Sequence, residues 1–195
     1  MNSKSISKHY ISASKLLNDS YELALQILDS DFHPDFIVGV WRGGTPVGIA
    51  VQELLSYCGI DSDHIAIRTS LYTGIDQQAS YVRVHGLDYL VNNVNAEDGL
   101  LIVDDVFDSG RSVNQIILEL HKKCRKNTPK IKVATPYFKP SKNKTQRIPD
   151  FYLHETEDWL VFPHELEGLS IDEILENKPE IESIKDRLIH SIKNL

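Results

Sequence analysis

The chain has 195 residues, of which 41% are hydrophobic and 25% are charged, so it is long enough for one sizeable domain with a small appendage. Its formal net charge of −7 argues against a broad nucleic-acid surface, because such a surface needs clustered Lys and Arg. No apolar run approaches the roughly 20 residues that span a bilayer, and the polar start does not resemble a signal peptide. We therefore expect a cytoplasmic protein with no membrane or nucleic-acid partner.

The first part of the chain predicts a helix followed by a strand–loop–helix unit. Ser12 is a suitable N-cap for a helix that runs to about Asp29. The apolar run Phe36–Val40 is typical of a buried strand, and it leads into Arg-Gly-Gly at residues 42–44. Thr45 is then the expected N-cap of the next helix. Paired glycines after a strand also fit an ordinary turn.

The next elements predict a pair of strands joined by a polar connection. His64–Thr69 is the first strand and Tyr81–Val84 the second. The polar stretch Ser70–Gln78 between them fits a long hairpin connection. Asn92–Gly99 is rich in turn-forming residues.

The stretch from Leu100 to Ser112 carries the clearest chemical signal. Four apolar residues, Leu100–Val103, predict a strand buried on both faces, and Asp104 and Asp105 follow at its carboxyl end. The small polar loop at residues 108–112 leads into a helix. A loop at a helix amino terminus offers backbone N–H groups to a phosphate, and carboxylates suit ribose hydroxyls or hydrated Mg²⁺. The stretch therefore predicts a holder for a sugar phosphate, although the loop composition alone also fits turn and N-cap chemistry.

The last part of the chain predicts a strand, a small irregular segment and a helical tail. Ile131–Tyr137 is the strand, and two apolar segments follow it between residues 149 and 163. Ser170 begins a capping-box pattern, and apolar residues at near-helical spacing continue to Ile192. We expect this tail to pack on its own core or on another subunit.

The whole order from Leu100 to Ser112, LLIVDDVFDSGRS, resembles the PRPP-binding signature of type I phosphoribosyltransferases. That signature has four apolar residues, paired acids, two further residues and then Asp-Ser/Thr-Gly-x-Ser/Thr. The resemblance implies an α/β protein with a mainly parallel, twisted sheet flanked by helices and a small hood. It also implies a phosphoribosyltransferase domain over residues 1–168, with the hood at about 137–168, and a helical tail over 169–195.

The resemblance assigns roles at the PRPP end of the site. Arg-Gly-Gly resembles the family's pyrophosphate loop, and it implies a cis peptide at Arg42–Gly43 and a phosphate-binding, catalytic charge on Arg42. Asp104 and Asp105 would hold the ribose hydroxyls or a metal ion. Asp108 would be the general base. The full set expected to bind PRPP is Arg42, Gly43, Asp104, Asp105, Asp108, Ser109, Gly110, Arg111 and Ser112.

The resemblance also assigns a mobile loop and a purine pocket. Ser70 and Tyr72 would reach the ligand from the loop that closes over the site. In the segment that looks like the hood of purine phosphoribosyltransferases, Lys139 would donate to the purine O6, Trp159 would stack on the base and Val161 would lie near its far edge. Glu165 would help to hold Mg²⁺ and pyrophosphate. A surface lysine and a core aromatic are the alternatives for Lys139 and Trp159.

The implied reaction transfers 5-phosphoribosyl from PRPP to hypoxanthine, guanine or xanthine, with Mg²⁺ as cofactor. The expected partners are PRPP and the purine, and the protein is expected to be a dimer or tetramer of identical chains. Two alternatives stay open: a PRPP-sensing regulatory protein on the same fold, and a phosphoribosyltransferase with a non-purine acceptor. Lys139 and Trp159 favour the purine, but the sequence does not select among the three bases.

Overall fold

Strands and helices alternate along the chain, as the sequence patterns predict. The computed structural model describes residues 8–73 and 80–193. The strands are β1 Lys8–Tyr10, β2 Phe36–Trp41, β3 Asp63–Thr73, β4 Ser80–His85, β5 Gly99–Val103, β6 Val106–Phe107, β7 Lys130–Phe138, β8 Phe151–Glu155 and β9 Trp159–Val161. The α-helices are α1 Ala13–Leu28, α2 Gly44–Tyr57, α3 Asp88–Asn93, α4 Arg111–Cys124, α5 Ile171–Asn177 and α6 Lys185–Lys193. Short 3₁₀ segments cover Arg125–Asn127, Pro140–Lys142 and Pro179–Ile184.

In the described part of the chain, seven strands form the main sheet. Their order is β4-β3-β2-β5-β7-β6, and β8 also pairs with β7. Only β3 and β4 pair antiparallel; the remaining pairs of this sheet are parallel. This confirms the predicted class, a mostly parallel α/β sheet flanked by helices.

The direction in which successive strands are added to the sheet changes between the neighbouring strands β2 and β5. From β2 the chain passes through α2 to β3 on one side, and from β5 it passes through α4 to β7 on the other. Gly39 of β2 pairs with Val103 of β5, so both strands end at the same edge. Open parallel sheets bind ligands at such a switch point, outside the carboxyl ends of the strands.

A continuous apolar core fixes the position of this edge. All five residues of β5 are buried, as a strand covered on both faces requires. On one face β2, β5 and β7 pack with α3 and α4, and the α4 residues in this core are Val113, Ile116, Ile117, Leu120 and Cys124. The helix α2 packs on β2 and β5 and buries Val47, Ala50, Val51 and Leu55. Both helices therefore bury an apolar face, although Cys58 at the end of α2 is exposed.

Several predicted boundaries are wrong. The helix α2 begins at Gly44 with Gly43 as its N-cap, and Thr45 lies in its first turn, where its N–H donates to the Arg42 carbonyl at 3.2 Å. The glycines turn the chain into the helix directly after β2, before it reaches Thr45. The sequence patterns also did not predict the short helix α3, which follows the buried residue Leu87.

The strand β3 is longer than the predicted His64–Thr69, and it takes in residues that were expected to form the mobile loop. Ser70 pairs with Arg83 and Tyr72 with Tyr81 in the antiparallel ladder with β4. Backbone pairing extends the strand because β4 supplies partners as far as Thr73. The centre of the predicted loop, residues 74–79, lies outside the described residues.

The chain divides into two compact units. Within the described ranges, the larger unit covers residues 17–157 and the smaller unit joins 8–16 to 158–193. In the smaller unit β1 and β9 form a two-stranded parallel sheet, a pairing that the sequence did not predict. The predicted division at residue 168 falls inside the smaller unit and stays a prediction.

A helix cap and an ion pair stabilise the smaller unit. Ser170 and Glu173 form the predicted capping box at the start of α5. The Glu173 carboxylate also accepts from the Lys8 ammonium at 2.5 Å, which lowers the pKa of Glu173 to about 2. Across the described residues, none of the helices has the length and apolar character that crossing a membrane requires.

Candidate active site

The pyrophosphate-loop candidate follows β2 at the switch-point edge. The non-proline cis peptide in this loop lies between Trp41 and Arg42, so the prediction of a cis bond at Arg42–Gly43 is wrong by one residue. Gly43 already has helical dihedral angles, with φ −67° and ψ −32°, so the chain has to turn before it. The Arg42 side chain is exposed at this edge.

Gly43 brings the backbone of this loop against the paired acids. A Cβ atom at Gly43 would lie 1.8 Å from Oδ2 of Asp105, so a side chain here would force either the loop or the Asp105 carboxylate to move. The absence of a side chain therefore permits direct packing of the β2–α2 loop on the end of β5. The two loops that the sequence singled out meet here.

Asp104 and Asp105 sit at this junction with unequal environments. Asp105 is 9% exposed, and its N–H donates to Oδ1 of Asp104 at 3.1 Å. Burial raises the pKa of Asp104 well above its usual range, and the negative charge of Asp105 raises it further. Two acids so placed favour partners that supply hydrogen-bond donors or positive charge.

The loop after β6 forms a small anion-binding cradle. Gly110, the N-cap of α4, has a left-handed conformation with φ 71°. A Cβ there would lie 2.6 Å from a ring carbon of Phe107 and 2.8 Å from Oγ1 of Thr145. The 14-residue helix α4 begins at Arg111, so its first N–H groups and its dipole favour an anion at this end.

A cavity of about 90 Å³ lies at this helix terminus, and Asp104, Asp108, Ser109, Gly110 and Ser112 are among the residues that line it. The Ser112 hydroxyl accepts from the Thr69 hydroxyl at 3.4 Å. Arg111 is exposed, and its N–H faces the Ser109 hydroxyl at 3.5 Å. The cavity thus combines hydroxyl groups, a helix amino terminus and the acid Asp104.

Lys139 is buried, and its charge is paired with Asp108. The Lys139 residue is 5% exposed, and its Nζ lies 3.2 Å from Oδ2 of Asp108. Pairing of β6 with β7 brings the two residues together, since Phe107 pairs with Phe138 and the Lys139 N–H donates to the Phe107 carbonyl at 2.9 Å. The alternative of a surface lysine does not describe this side chain.

Sequence reasoning missed the segment after Lys139 that supports the cradle. The Lys144 N–H donates to the Ser109 carbonyl at 3.0 Å, and the Thr145 N–H and hydroxyl both donate to Oδ1 of Asn143, at 2.8 and 2.9 Å. Ser70, expected to reach the ligand, instead has its hydroxyl 3.1 Å from Nε2 of His85. No local signal in the sequence marks the bond from Lys144 to Ser109 or the contact of Ser70 with His85, because each joins segments that are distant in the chain.

The smaller unit carries the other three expected site residues. Trp159 is 53% exposed. Val161 is buried, and its carbonyl accepts from the Ile11 N–H at 2.9 Å. Oε2 of Glu165 accepts from the Phe162 N–H at 3.0 Å. Over residues 8–73 and 80–193, no group of three or more His, Cys, Asp or Glu side chains is arranged to hold a metal ion.

The fold and this edge are those of an α/β protein with a helix amino terminus suited to an anion at the switch point of a parallel sheet. Residues 10–170 match the model of the phosphoribosyl transferase domain. The chain belongs to this phosphoribosyl transferase domain family.

Individual relatives agree with this assignment. A xanthine-guanine phosphoribosyltransferase of Desulfotalea psychrophila is 30% identical over 160 residues, which cover 81% of this chain and 86% of the relative. The crystal structure of a purine phosphoribosyltransferase from Pyrococcus horikoshii OT3 has a TM-score of 0.66 at 27% identity, covering 84% of this chain and 97% of that one. A xanthine-guanine-hypoxanthine phosphoribosyltransferase of Helicobacter pylori shares the fold, with a TM-score of 0.63 at 20% identity and coverages of 92% and 99%.

Proposed function

We propose that this protein transfers the 5-phosphoribosyl group from PRPP to a purine base and yields a purine nucleotide and pyrophosphate. The observation that carries the proposal is the ion pair between buried Lys139 and partly exposed Asp108 at the edge of the cradle. This pair places a hydrogen-bond donor and a proton acceptor beside the expected position of the ribose. The names of the relatives support the same reaction.

PRPP is held by backbone and carboxylate groups in this proposal. The first N–H groups of α4, with Ser109, Gly110, Arg111 and Ser112, bind the 5′-phosphate. Asp104 and Asp105 accept from the ribose hydroxyls. Arg42 and the backbone at Gly43 bind the pyrophosphate, and Arg42 offsets the charge that grows as it departs.

The donor set fits Mg²⁺, which keeps several waters and takes one or two carboxylates together with substrate phosphates. Asp104 and Asp105 are the expected protein ligands, and Glu165 is the third candidate. The raised pKa of Asp104 beside a second acid is the pattern that a cation relieves. When bound, the ion supplies neutralisation of the departing pyrophosphate.

Purine recognition is assigned to three side chains on the strength of the sequence motif. Lys139 donates to O6 of the base, Trp159 stacks on the ring, and Val161 lies near the far edge. Asp108 accepts the N7 proton as the ribosyl carbon bonds to the ring. The exposure of Trp159 favours stacking on a ligand over a role in the core.

The assembly and location of the protein follow from this function. We expect a homo-oligomer, either a dimer or a tetramer, in the cytoplasm, where PRPP and free bases occur. Ser70 and Tyr72 are kept as candidate contributors from the region next to residues 74–79. Sedimentation of the purified protein at assay concentration tests the oligomeric state.

A PRPP-dependent pyrophosphate-release assay against a panel of free bases tests the function. We expect release with hypoxanthine, guanine or xanthine and none without a base. Release with pyrimidines alone would establish a non-purine acceptor. Tight PRPP binding without release on any base would favour the sensor. A variant with both Asp104→Asn and Asp105→Asn is the control, and it should fold but bind PRPP weakly.

A further inference from the structure

Lys178 lies at the junction between α5 and the 3₁₀ segment Pro179–Ile184, a region to which the sequence assigned no chemistry. The residue is 3% exposed. Its N–H donates to the Ile174 carbonyl at 3.0 Å, and its carbonyl accepts from the Ile181 N–H at 3.1 Å. The backbone from which the side chain starts is therefore fixed on both sides.

The buried ammonium donates to the carbonyl of Phe162, the residue that directly follows β9. The same carbonyl accepts from the Glu165 N–H at 3.0 Å, and the Glu165 carboxylate accepts from the Phe162 N–H at 3.0 Å. Three hydrogen bonds thus close the turn from Phe162 to Glu165. One of them comes from Lys178, which is 16 residues away from Phe162 in the sequence.

An ammonium at this position has an energetic cost that an apolar side chain would avoid. Burial lowers the pKa of Lys178, and the charges of Glu165 and Glu180 oppose that shift. Glu180 is itself fixed, because its carboxylate accepts from the Ala13 N–H at 3.1 Å. The Lys178 ammonium therefore interacts with two carboxylates, and it donates a hydrogen bond to one backbone oxygen, the carbonyl of Phe162.

We propose that Lys178 is a positioning residue of the purine site, because it fixes the turn that follows β9 and hence Val161 and Glu165. The inference rests on the proposed function, which places those two residues at the base and at the metal. It gives the C-terminal tail an indirect role in the reaction. Without the ammonium, the Phe162 carbonyl loses its donor from the tail, and the two hydrogen bonds with Glu165 hold the peptide after Val161 less firmly.

Kinetics of Lys178→Met, which keeps the length and removes the donor, test the role in the site. We expect KM for the purine to rise by roughly tenfold, as loss of one charged hydrogen bond implies, with kcat nearly kept and a smaller rise in KM for PRPP. Lys178→Arg, which keeps a cationic donor, should recover part of the affinity. Lys185→Met, in the same tail but on a partly exposed side chain paired with Glu182, is the matched control and should match the wild type. An unchanged KM for the purine in Lys178→Met would overturn the proposal.

Hydrogen exchange on the ligand-free protein separates this inference from the proposed function. The amides of Phe162 and Glu165 should exchange faster in Lys178→Met than in the wild type or Lys185→Met. Unaltered exchange would overturn the anchoring role, whatever reaction the protein catalyses. A wild-type protein with no transfer activity would instead overturn the proposed function and, with it, the role in the purine site.

Lys178→Gln, which keeps a shorter neutral donor, replaces Lys178→Met if that variant does not fold. The amides of Phe162 and Glu165 should then exchange at a rate between those of the wild type and of a protein without this donor. Exchange as slow as in the wild type would again overturn the anchoring role.

Discussion

At the scale of single residues, Asp108 and Lys139 depend on each other. Lys139 is buried, and its charge is balanced by a carboxylate at 3.2 Å whose side chain is 44% exposed. Removing one member of such a pair leaves the other without its counter-charge. A change at either residue therefore acts on both the proposed proton transfer and the proposed recognition of O6.

Asp108→Asn should lower turnover by roughly 10²–10⁴-fold, the range for loss of a general base. The amide keeps the shape of the side chain but does not accept the N7 proton. PRPP affinity should change much less, because the proposed binding of the 5′-phosphate depends on backbone N–H groups of α4. Steady-state rates and PRPP titrations measure both effects, with Asp88→Asn, at an exposed carboxylate paired with Lys123, as the control. Near-normal turnover would mean that Asp108 is not the general base and serves only as the counter-charge of Lys139.

Asp104→Asn should stabilise the ligand-free protein while weakening PRPP binding. Burial and the charge of Asp105 raise the pKa of Asp104, so ionisation of this acid counts against the folded state. Its contribution to stability is present below the unfolded pKa of about 3.9 and is lost as pH rises through the folded pKa. Asn does not ionise, so the variant does not lose stability in this way as pH rises. Its midpoint of thermal unfolding at neutral pH should therefore be higher than that of the wild type by roughly 2–4 °C.

Scanning calorimetry from acid to neutral pH, with PRPP titrations, measures the effect of Asp104→Asn. The difference from the wild type should disappear below about pH 3, where the acid is protonated in both the folded and the unfolded state. Asp61→Asn, at an exposed position, should show neither effect. A variant that is less stable at neutral pH and binds PRPP normally would contradict the assignment.

At the scale of elements, contact between the β2–α2 loop and the end of β5 brings together the two halves of the proposed PRPP site. Gly43→Ala places a methyl group within 1.8 Å of the Asp105 carboxylate, so either the loop or the acid has to move. We expect PRPP affinity to fall by about tenfold or more, as for loss of at least one charged hydrogen bond. Gly48→Ala, in the same helix with its nearest contact at 3.5 Å, is the control in calorimetric titrations. Unchanged PRPP affinity in Gly43→Ala would mean that this loop does not contribute to PRPP binding.

Trp159→Ala tests the proposed role of β9. The ring is 53% exposed, so its loss should cost little stability but should raise KM for the purine. Loss of base stacking is worth roughly 1–3 kcal/mol, or about five- to a hundred-fold, and KM for PRPP should change less. Tyr57→Ala, at a ring that is 93% exposed, is the control. A selective loss of PRPP affinity would contradict the purine assignment.

Local patterns predicted the elements that carry the PRPP site, because each is encoded by neighbouring residues. The apolar run of β5 and the periodic face of α4 come from burial. The predicted loop at residues 108–112 extends two residues too far, because α4 begins at Arg111. Pairing between distant segments left no such pattern. The β1–β9 pair and the bond from Lys178 to Phe162 each join segments far apart in the chain, and the extension of β3 to Thr73 depends on β4. The position of the cis bond depends on where the chain enters α2, which the residue types alone did not reveal.

At the scale of the whole molecule, a buried polar cluster links distant segments of the larger unit. The Tyr137 hydroxyl donates to Oδ2 of Asp19 at 3.1 Å, and Nε2 of His154 lies 3.2 Å from the same oxygen. The cluster therefore joins α1 to β7 and β8. Asp19 and Tyr137 are 5% and 4% exposed, so the loss of one partner leaves a buried polar group less well satisfied.

Tyr137→Phe should lower the free energy of unfolding by about 1–3 kcal/mol at neutral pH, because the buried Asp19 carboxylate loses a donor. Burial, followed by the charge of Asp19 and its hydrogen bond, raises the pKa of Tyr137 well above its ordinary value. The folded protein therefore retains this proton where the unfolded chain has lost it. The stabilisation from the hydroxyl is complete below the ordinary pKa of about 10 and declines as pH rises toward the folded pKa.

Urea unfolding of the wild type and of Tyr137→Phe at a series of pH values from neutral to alkaline measures this linkage. The difference in free energy of unfolding should be constant up to about pH 9 and should shrink above about pH 10, since only the wild type has this phenol to ionise on unfolding. Tyr21→Phe, at a ring that is 39% exposed, removes a phenol outside this cluster and should give no such alkaline change. A difference that stays constant through the alkaline range would contradict the raised pKa of Tyr137. The absence of any difference at neutral pH would mean that the hydrogen bond to Asp19 adds no stability to the link between α1 and β7.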